Sequence, residues 1–426
     1  MERISVDFSA SRGPVKPLHA VNNSPVRITN NQSRGNLPAY AAAGFPYARN
    51  HDASFYCEHI VDVHAIFPNF DADETDPASY DFILTDDNVS AAYEAGAEVF
   101  YRLGAKIEHA RKKYNVHPPK DFAKWARICE HIILHYTEGW ADGFRYKMTY
   151  WEIWNEPDIE PCWTGTPEQF MDLYVITLRH LMGCFPHLKI GGPALSHNRE
   201  FAAALLDRLK AENLYPNFFS WHFYGKRAET LVEYARFFRG LLDEKGFTKT
   251  ESLCTEWNLV YAWSGEDFVK GIEDIISMKG AAFDAACMLA CDAEPVDMLM
   301  YYDARVTVWN GLFDYYTMRP LPGYYSLAFF NHLYRLGQSV PLSVDGANVY
   351  AAAAKDENGK SAVMLAVYAH EADFTEKEIE LTLTGGADAY EVTLLDKDHT
   401  AEIIGTWHPG EPLCLNNLSV VLLKSL

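Results

Sequence analysis

Trp151-Glu152-Ile153-Trp154-Asn155-Glu156-Pro157 reads as a hydrophobic strand that runs into an Asn-Glu pair and is stopped by a proline. Pro157 removes a backbone donor and biases Glu156 away from a helical turn, toward extended geometry. The strand is the fourth of a series. Short β-prone runs occur at 18–21, 45–49, 98–103, 148–154, 188–191, 218–221, 252–256 and 298–301, with longer helical patterns between them. Such alternation predicts parallel α/β architecture, and eight units predict a closed (β/α)8 TIM barrel rather than an open sheet.

The intervening patterns have helical signatures. Between 122 and 136, Phe122, Trp125, Ala126, Cys129, Ile132 and Ile133 recur at helical spacing. Thr166-Pro167-Glu168-Gln169 has an N-cap, a proline at the first helical position and a capping-box partner. Residues 199–210, 230–242 and 267–290 supply three more helices. Past about residue 336 the pattern becomes short β-prone runs at 348–354, 361–368, 379–383, 390–395 and 418–423, separated by polar turns. These predict an accessory antiparallel β-sandwich. Residues 2–8 alternate Ile4, Val6 and Phe8 and are expected to add a strand to it. The expected division is a strand in 1–14, the barrel over 15–335 and the sandwich over 336–426.

The chain has 426 residues, 48% of them hydrophobic and 14% aromatic, enough for a large core. A formal net charge of -21 argues against phosphate backbones and anionic membranes as partners, leaving no nucleic acid and no membrane in the expected set. The start, Met1 to Asp7, has no basic segment followed by an apolar one, and none of the eight cysteines forms a CxxC pair. The expectation is a cytoplasmic protein with reduced structural cysteines. No HExxH motif, compact His/Asp set, P-loop or dinucleotide fingerprint occurs, so neither a metal nor a cofactor is expected.

Chemistry concentrates at the C-terminal ends of barrel strands, where Glu156 falls. A second apolar strand ends in Leu253-Cys254-Thr255-Glu256-Trp257-Asn258. Strands 4 and 7 of eight face each other across the barrel mouth. Two carboxyls so placed can flank one glycosidic bond, one donating a proton while the other attacks or activates water. Taken singly, each glutamate could equally be a solvated loop residue.

The Asn155-Glu156-Pro157 strand end and the Glu256 strand end resemble the large glycosidase clan whose barrels carry catalytic glutamates on strands 4 and 7. Within it, the run from Trp151 to Pro157 and a barrel with a terminal β-sandwich are similar to glycoside hydrolase family 39, the family of β-xylosidases and α-iduronidases. The resemblance implies net retention, with Glu156 as acid/base and Glu256 as nucleophile. Asn155 would donate to the sugar 2-hydroxyl. At strand 2, Arg49 would pair with Glu256, and His51 stands beside it. At strand 6, the His222 imidazole or the Tyr224 hydroxyl would hold Glu256. Lys106 is a candidate for a distal hydroxyl, and Trp163, Tyr302, Asp303 and Trp309 are candidates for the wall and floor under a sugar ring. Phe223, Tyr302 and Trp309 are bulky enough to close a xylose pocket, and residues 67–80 to block one end of the cleft. The expected substrate is a short oligosaccharide or small glycoside, cut by an exo-acting β-xylosidase. Arabinosidase, galactosidase, glucosidase and endo-glycanase activities remain alternatives on the same scaffold, a non-catalytic carbohydrate-binding protein is a further one, and a homo-oligomer is left open.

Overall fold

In the computed structural model, which describes residues 2–28, 34–53, 59–307, 309–371 and 375–426, eight parallel strands close into a barrel. They are Ala20–Asn22, Tyr47–Asn50, Glu98–Leu103, Tyr150–Ile153, Lys189–Leu195, Phe218–Gly225, Glu251–Leu259 and Met298–Tyr301, strands 1 to 8 below. Each overlaps the run expected for it. Strand 8 closes the ring, pairing Met300 with Ala20 and Tyr301 with Val21 on one side and Met298 with Leu253 on the other. Ala20, Phe100, Tyr150, Phe218, Leu253, Met298 and Met300 pack together as a cluster contributed wholly by barrel strands. The interior is therefore a filled core rather than a pore.

Helices cover the outside where an apolar stripe lets them. Helix Phe122–Thr137 buries Trp125, Cys129, Ile132, Ile133 and Tyr136, and Asp121 caps it by accepting from the Lys124 amide. Helix Pro167–Cys184 carries the capping box, with Thr166 and Gln169 bonding each other's backbone amides. The single helix expected over 267–290 is two, Gly265–Ile275 and Met278–Cys291, because Ser277 is extended and caps the second by accepting from Lys279.

The remaining strands form two sheets. One orders Leu342–Asp345, Glu2–Asp7, Glu376–Thr384 and Leu413–Asn416; the other has seven strands, with Ser361–Val367 near its centre. Ile4, Val6, Val363, Leu365, Ile379 and Val421 fill the space between them. On its other face the larger sheet presents Ala352, Ala354, Ala362 and Ala366 to helices Met278–Cys291 and Pro322–Leu336. Small side chains on both sides let strand and helix approach closely, which couples the sheets to the barrel. Among the described residues no helix is long and apolar enough to cross a membrane.

That packing buries one carboxyl without a partner. Asp284, on helix Met278–Cys291, is 1% exposed and neither carboxyl oxygen finds a hydrogen bond. Burial raises its pKa well above the usual carboxylate range. The folded protein keeps this proton where the unfolded chain, with a pKa near ~3.9, has lost it. The stability that Asp284 contributes is therefore present below that value and lost as pH rises. Asp284→Asn should match the parent near pH 4 and exceed it increasingly toward pH 8, by at least about 1.4 kcal/mol, the worth of one pKa unit. Thermal unfolding across that range reads the gap, and a pH-independent difference would refute the assignment.

Candidate active site

Strand 4 delivers its carboxylate through a strained joint. Trp154 and Glu156 take positive φ, 73° and 46°, in the left-handed region that non-glycine residues avoid. Pro157 thus does not leave Glu156 extended, as the sequence suggested. With the right-handed region disfavoured before proline, the backbone goes left-handed while the Glu156 amide donates to the Ala194 carbonyl at 2.9 Å. Gly104 makes room for the joint, since a Cβ there would lie 2.9 Å from the Trp154 ring. Strand 7 uses a different device. The pairing of Trp221 with Cys254 and then His222 with Glu256 skips one residue of strand 7, a bulge that re-aims both side chains at the mouth.

Beneath the mouth lies Arg49, fully buried on strand 2. Its Nε donates to Glu152 at 2.7 Å, Nη1 to Glu256 at 2.7 Å and to Asn22 at 3.0 Å, and Nη2 to Asn155 at 2.8 Å. Tyr224 donates to the other Glu256 oxygen at 2.6 Å. Burial and the Glu256 charge raise the Tyr224 pKa far above its usual value, so it remains a donor. His222 Nδ1 lies 2.8 Å from Glu156 and 3.5 Å from Glu256. Burial pulls its pKa down, but the two carboxylates outweigh this and raise it overall. His51 moves the opposite way: burial, with Arg49, Arg102 and Lys106 nearby, lowers it well below normal. Atoms of Glu156, His222 and Glu256 all fall within 4.8 Å of one another.

The cleft above these groups has a volume of about 350 Å³. Glu156, Glu256, Asn155, His51, Tyr224, Tyr302 and Trp309 line it, as expected from the sequence. Arg49 and His222 lie behind that lining. Of the two strand 6 candidates, Tyr224 grips Glu256 while His222 bonds first to Glu156. Two expected wall residues do not reach the cleft. Trp163 packs edge-on against Trp154 and Phe170 and donates its indole N–H to Thr166. Asp303 is buried, accepts from Asn23 and Arg305, and is pushed up to about 7, chiefly by burial. Phe223 turns outward onto Tyr234, and Lys106 turns to Asp52 at 3.0 Å. The 67–80 segment leaves the cleft clear: its Glu74 pairs with Lys124 and Arg127, and Tyr80 packs on Trp140.

Sequence reasoning passed over other residues. Glu152 is a charged residue inside an apolar strand, which is itself the signal of a buried ion pair. Cys162 puts its sulfur 3.7 Å from Glu156, and nothing in its spacing announces that. Ile107, His109, Trp263 and Phe268 also line the cleft. The last two follow strand 7 closely, and an aromatic pair just past a chemical strand end is a usable sign. Asn258 donates to the backbone carbonyls of Tyr302 and Trp309, pinning the strand 8 loop to strand 7.

Three groups among the described residues bring three potential metal-ligand atoms together: His59–Asp62–His64, Glu130–His180–Cys184 and Glu156–His222–Glu256. Each already has an internal partner, Asp62 with Arg102, Glu130 with His180 and Glu256 with Arg49. A larger cavity, about 620 Å³, lies between the start of helix Ala228–Lys245 and residues 348–371, away from the paired strand-end carboxylates.

A (β/α)8 barrel with two opposed glutamates at the ends of strands 4 and 7 defines the class. A model of glycosyl hydrolases family 39 matches residues 38–235. A β-xylosidase of Geobacillus stearothermophilus is 26% identical over 265 residues, covering 54% of this chain and 51% of that protein. The chain thus spans about half the length of that relative. Among solved structures, a glucosidase from Croceicoccus marinus superposes with a TM-score of 0.80 at 22% identity, covering 100% of this chain and 98% of that one. A monomeric β-xylosidase from Caulobacter crescentus CB15 gives 0.72 at 15% identity, covering 100% and 99%. These structures have the same fold. Over residues 38–235 the chain is similar to glycosyl hydrolases family 39.

Replacing Arg49 tests how the site is held. Arg49→Met leaves Glu152 and Glu256 as buried carboxylates without their cation and should cost about 3–5 kcal/mol. Adding Glu152→Gln should return part of it. Urea midpoints at pH 7 measure both, and a loss under about 1 kcal/mol would show that Arg49 is not the keystone.

Proposed function

We propose that the protein is a retaining glycoside hydrolase in which Glu156 is the acid/base and Glu256 the nucleophile. One observation carries the reading: an oxygen of Glu156 and an oxygen of Glu256 lie within 4.8 Å of each other across the cleft. Retaining enzymes separate their carboxyls by about 5–5.5 Å, whereas inverting ones leave about 6.5–9.5 Å for a water.

In the first step Glu156 passes its proton to the glycosidic oxygen as a Glu256 oxygen attacks the anomeric carbon. The leaving group departs as an alcohol and Glu256 becomes a glycosyl ester. Water then attacks that carbon, gives its proton to Glu156 and releases Glu256 as a carboxylate. Arg49 and Tyr224 each bond one Glu256 oxygen and so select its rotamer. The Asn155 amide, its oxygen engaged by Arg49 and one hydrogen directed at the Cys162 sulfur, keeps its second hydrogen for the sugar 2-hydroxyl.

We assign a β-linked xylose as the glycone and exo action as the mode. The β-xylosidase similarity supports this, as does the crowding of Tyr224, Tyr302 and His51 around the inner end of the cleft. A glucoside is the competing reading, given the likeness to a glucosidase. A uronide is disfavoured, because Arg49, Lys106 and Arg305 are each ion-paired with buried carboxylates. The seven described cysteines form no disulfide, which supports a reducing, cytoplasmic setting.

Glu256→Gln should abolish turnover of every glycoside. Glu156→Gln should lose most activity on poor leaving groups yet keep much of its first-step rate on activated aryl glycosides. Equal, mild losses in both would sink the assignment. Proton NMR of the first-formed sugar should find retained configuration; an inverted product removes the nucleophile role from Glu256. Aryl β-xyloside should rank at or near the top of a panel with β-glucoside, β-galactoside, α-arabinoside and α-iduronide, and a different clear winner replaces the xylose assignment.

A further inference from the structure

The cleft changes character from floor to rim. Its inner end is polar and buried, with Asn155, Glu156, Glu256 and His51 all at 9% exposure or less. Outward from Tyr224, which holds Glu256, runs a chain of rings. Tyr224 meets Trp263 edge-on at 5.2 Å, Trp263 lies 5.8 Å from Trp309, and Phe268 meets Trp309 at 5.4 Å. Trp263 is 65% exposed and, with half-buried Phe268, stands at the mouth. On the adjoining helix Gly265–Ile275, Val269 is 56% exposed, and the following Ile276 is 47% exposed. Ile107 adds another apolar side chain to the lining. A contiguous apolar surface left open beside a polar pit marks a place for a partner of matching polarity.

Among the described residues, only the inner end offers the dense hydrogen bonding that a sugar ring requires. The rim is different: apart from two indole N–H groups and the His109 imidazole, its side chains named above have nothing to bond hydroxyls with. A second sugar there could rest a C–H face on the rings but would find few protein partners for its hydroxyls, whereas an apolar group gains from all the surface it covers. On the proposed function, the anomeric carbon sits between Glu156 and Glu256, and the leaving group points from there to the mouth. We infer that this cleft is built for glycosides whose leaving group is an apolar, chain- or ring-bearing aglycone, rather than for a second sugar residue. The inference rests on the glycosidase reading of Glu156 and Glu256 and refines the short oligosaccharide expected from the sequence.

The test compares methyl, butyl and hexyl β-xylosides with β-1,4-xylobiose, or the β-glucoside series with cellobiose if the aryl panel selects glucose. Alkyl leaving groups have similar basicity, so a rise along the series reports contacts with the rim. The hexyl glycoside should exceed the methyl one in kcat/KM by at least about tenfold, largely through KM, and should exceed the disaccharide. Trp263→Ala should reduce the hexyl-to-methyl ratio to under about threefold, and Phe268→Ala should lower it too. Trp263 is exposed enough to be replaced without opening the core. A disaccharide that equals or outperforms the hexyl glycoside, or a ratio that survives both substitutions, overturns the inference while the catalytic reading stands. Failure to find Glu256-dependent hydrolysis of any member overturns both.

Discussion

Everything at the mouth of this barrel depends on one buried cation. Arg49 bonds partners on strand 1, strand 4, the joint that follows strand 4, and strand 7, and it is fully buried. A barrel interior cannot hold two carboxylates such as Glu152 and Glu256 uncompensated, since each ion carries a desolvation penalty of several kcal/mol. A guanidinium suits the task where an ammonium would not, because its planar fork reaches several acceptors in fixed directions. The same bonds that neutralise Glu256 also set which way it faces. Electrostatic compensation and alignment of the Glu256 carboxylate are therefore one requirement here.

Around that centre the backbone departs from regular geometry where side chains must be aimed. Trp154 and Glu156 occupy left-handed conformations, each at a cost of about 1–3 kcal/mol that surrounding structure must offset. The offset is visible: Trp154 is clasped by Trp125, Trp163 and Phe170, and its indole N–H reaches the Cys162 carbonyl. Trp163 therefore supports the joint beneath the acid/base candidate instead of touching a sugar. The bulge between strands 6 and 7 does comparable work for His222 and Glu256.

The barrel was legible in the sequence because each strand is a short apolar run between helical patterns, and the Asn-Glu-Pro stop marks where chemistry emerges. Strand ends could be named, but the direction of each side chain could not. Phe223 adjoins Tyr224 in strand 6, where adjacent residues point to opposite faces, and Asp303 lies just past strand 8, where it turns to Asn23 and Arg305. The sandwich was read less completely. Residues 342–345, 402–407 and 413–416 also form strands, and these are short or largely exposed, without the apolar run that identified the others. The rim aromatics depend on loop geometry that periodicity does not encode. Cys162 was invisible for the same reason, since only the fold carries its sulfur back to Glu156.

Two histidines flank Glu256 in opposite states, and the proposed reaction gives that asymmetry a use. His51 is biased toward the neutral form chiefly by burial, with Arg49, Arg102 and Lys106 acting against the pull of Asp52, so its ring can stand beside the sugar without competing for the carboxylate as an ion. His222 is biased toward the charged form by Glu256 and Glu156 together. When Glu256 becomes an ester it loses its charge, and with it a main support for the His222 proton. In the same step Glu156 gives up its proton and becomes the carboxylate that supports the His222 charge, 2.8 Å from Nδ1, at the stage when it must act as a base toward water. Return of the Glu256 carboxylate restores the first arrangement. One imidazole touching both carboxylates can thus keep its charge beside whichever of them is ionised, which a tyrosine or an asparagine in its place could not do near neutral pH.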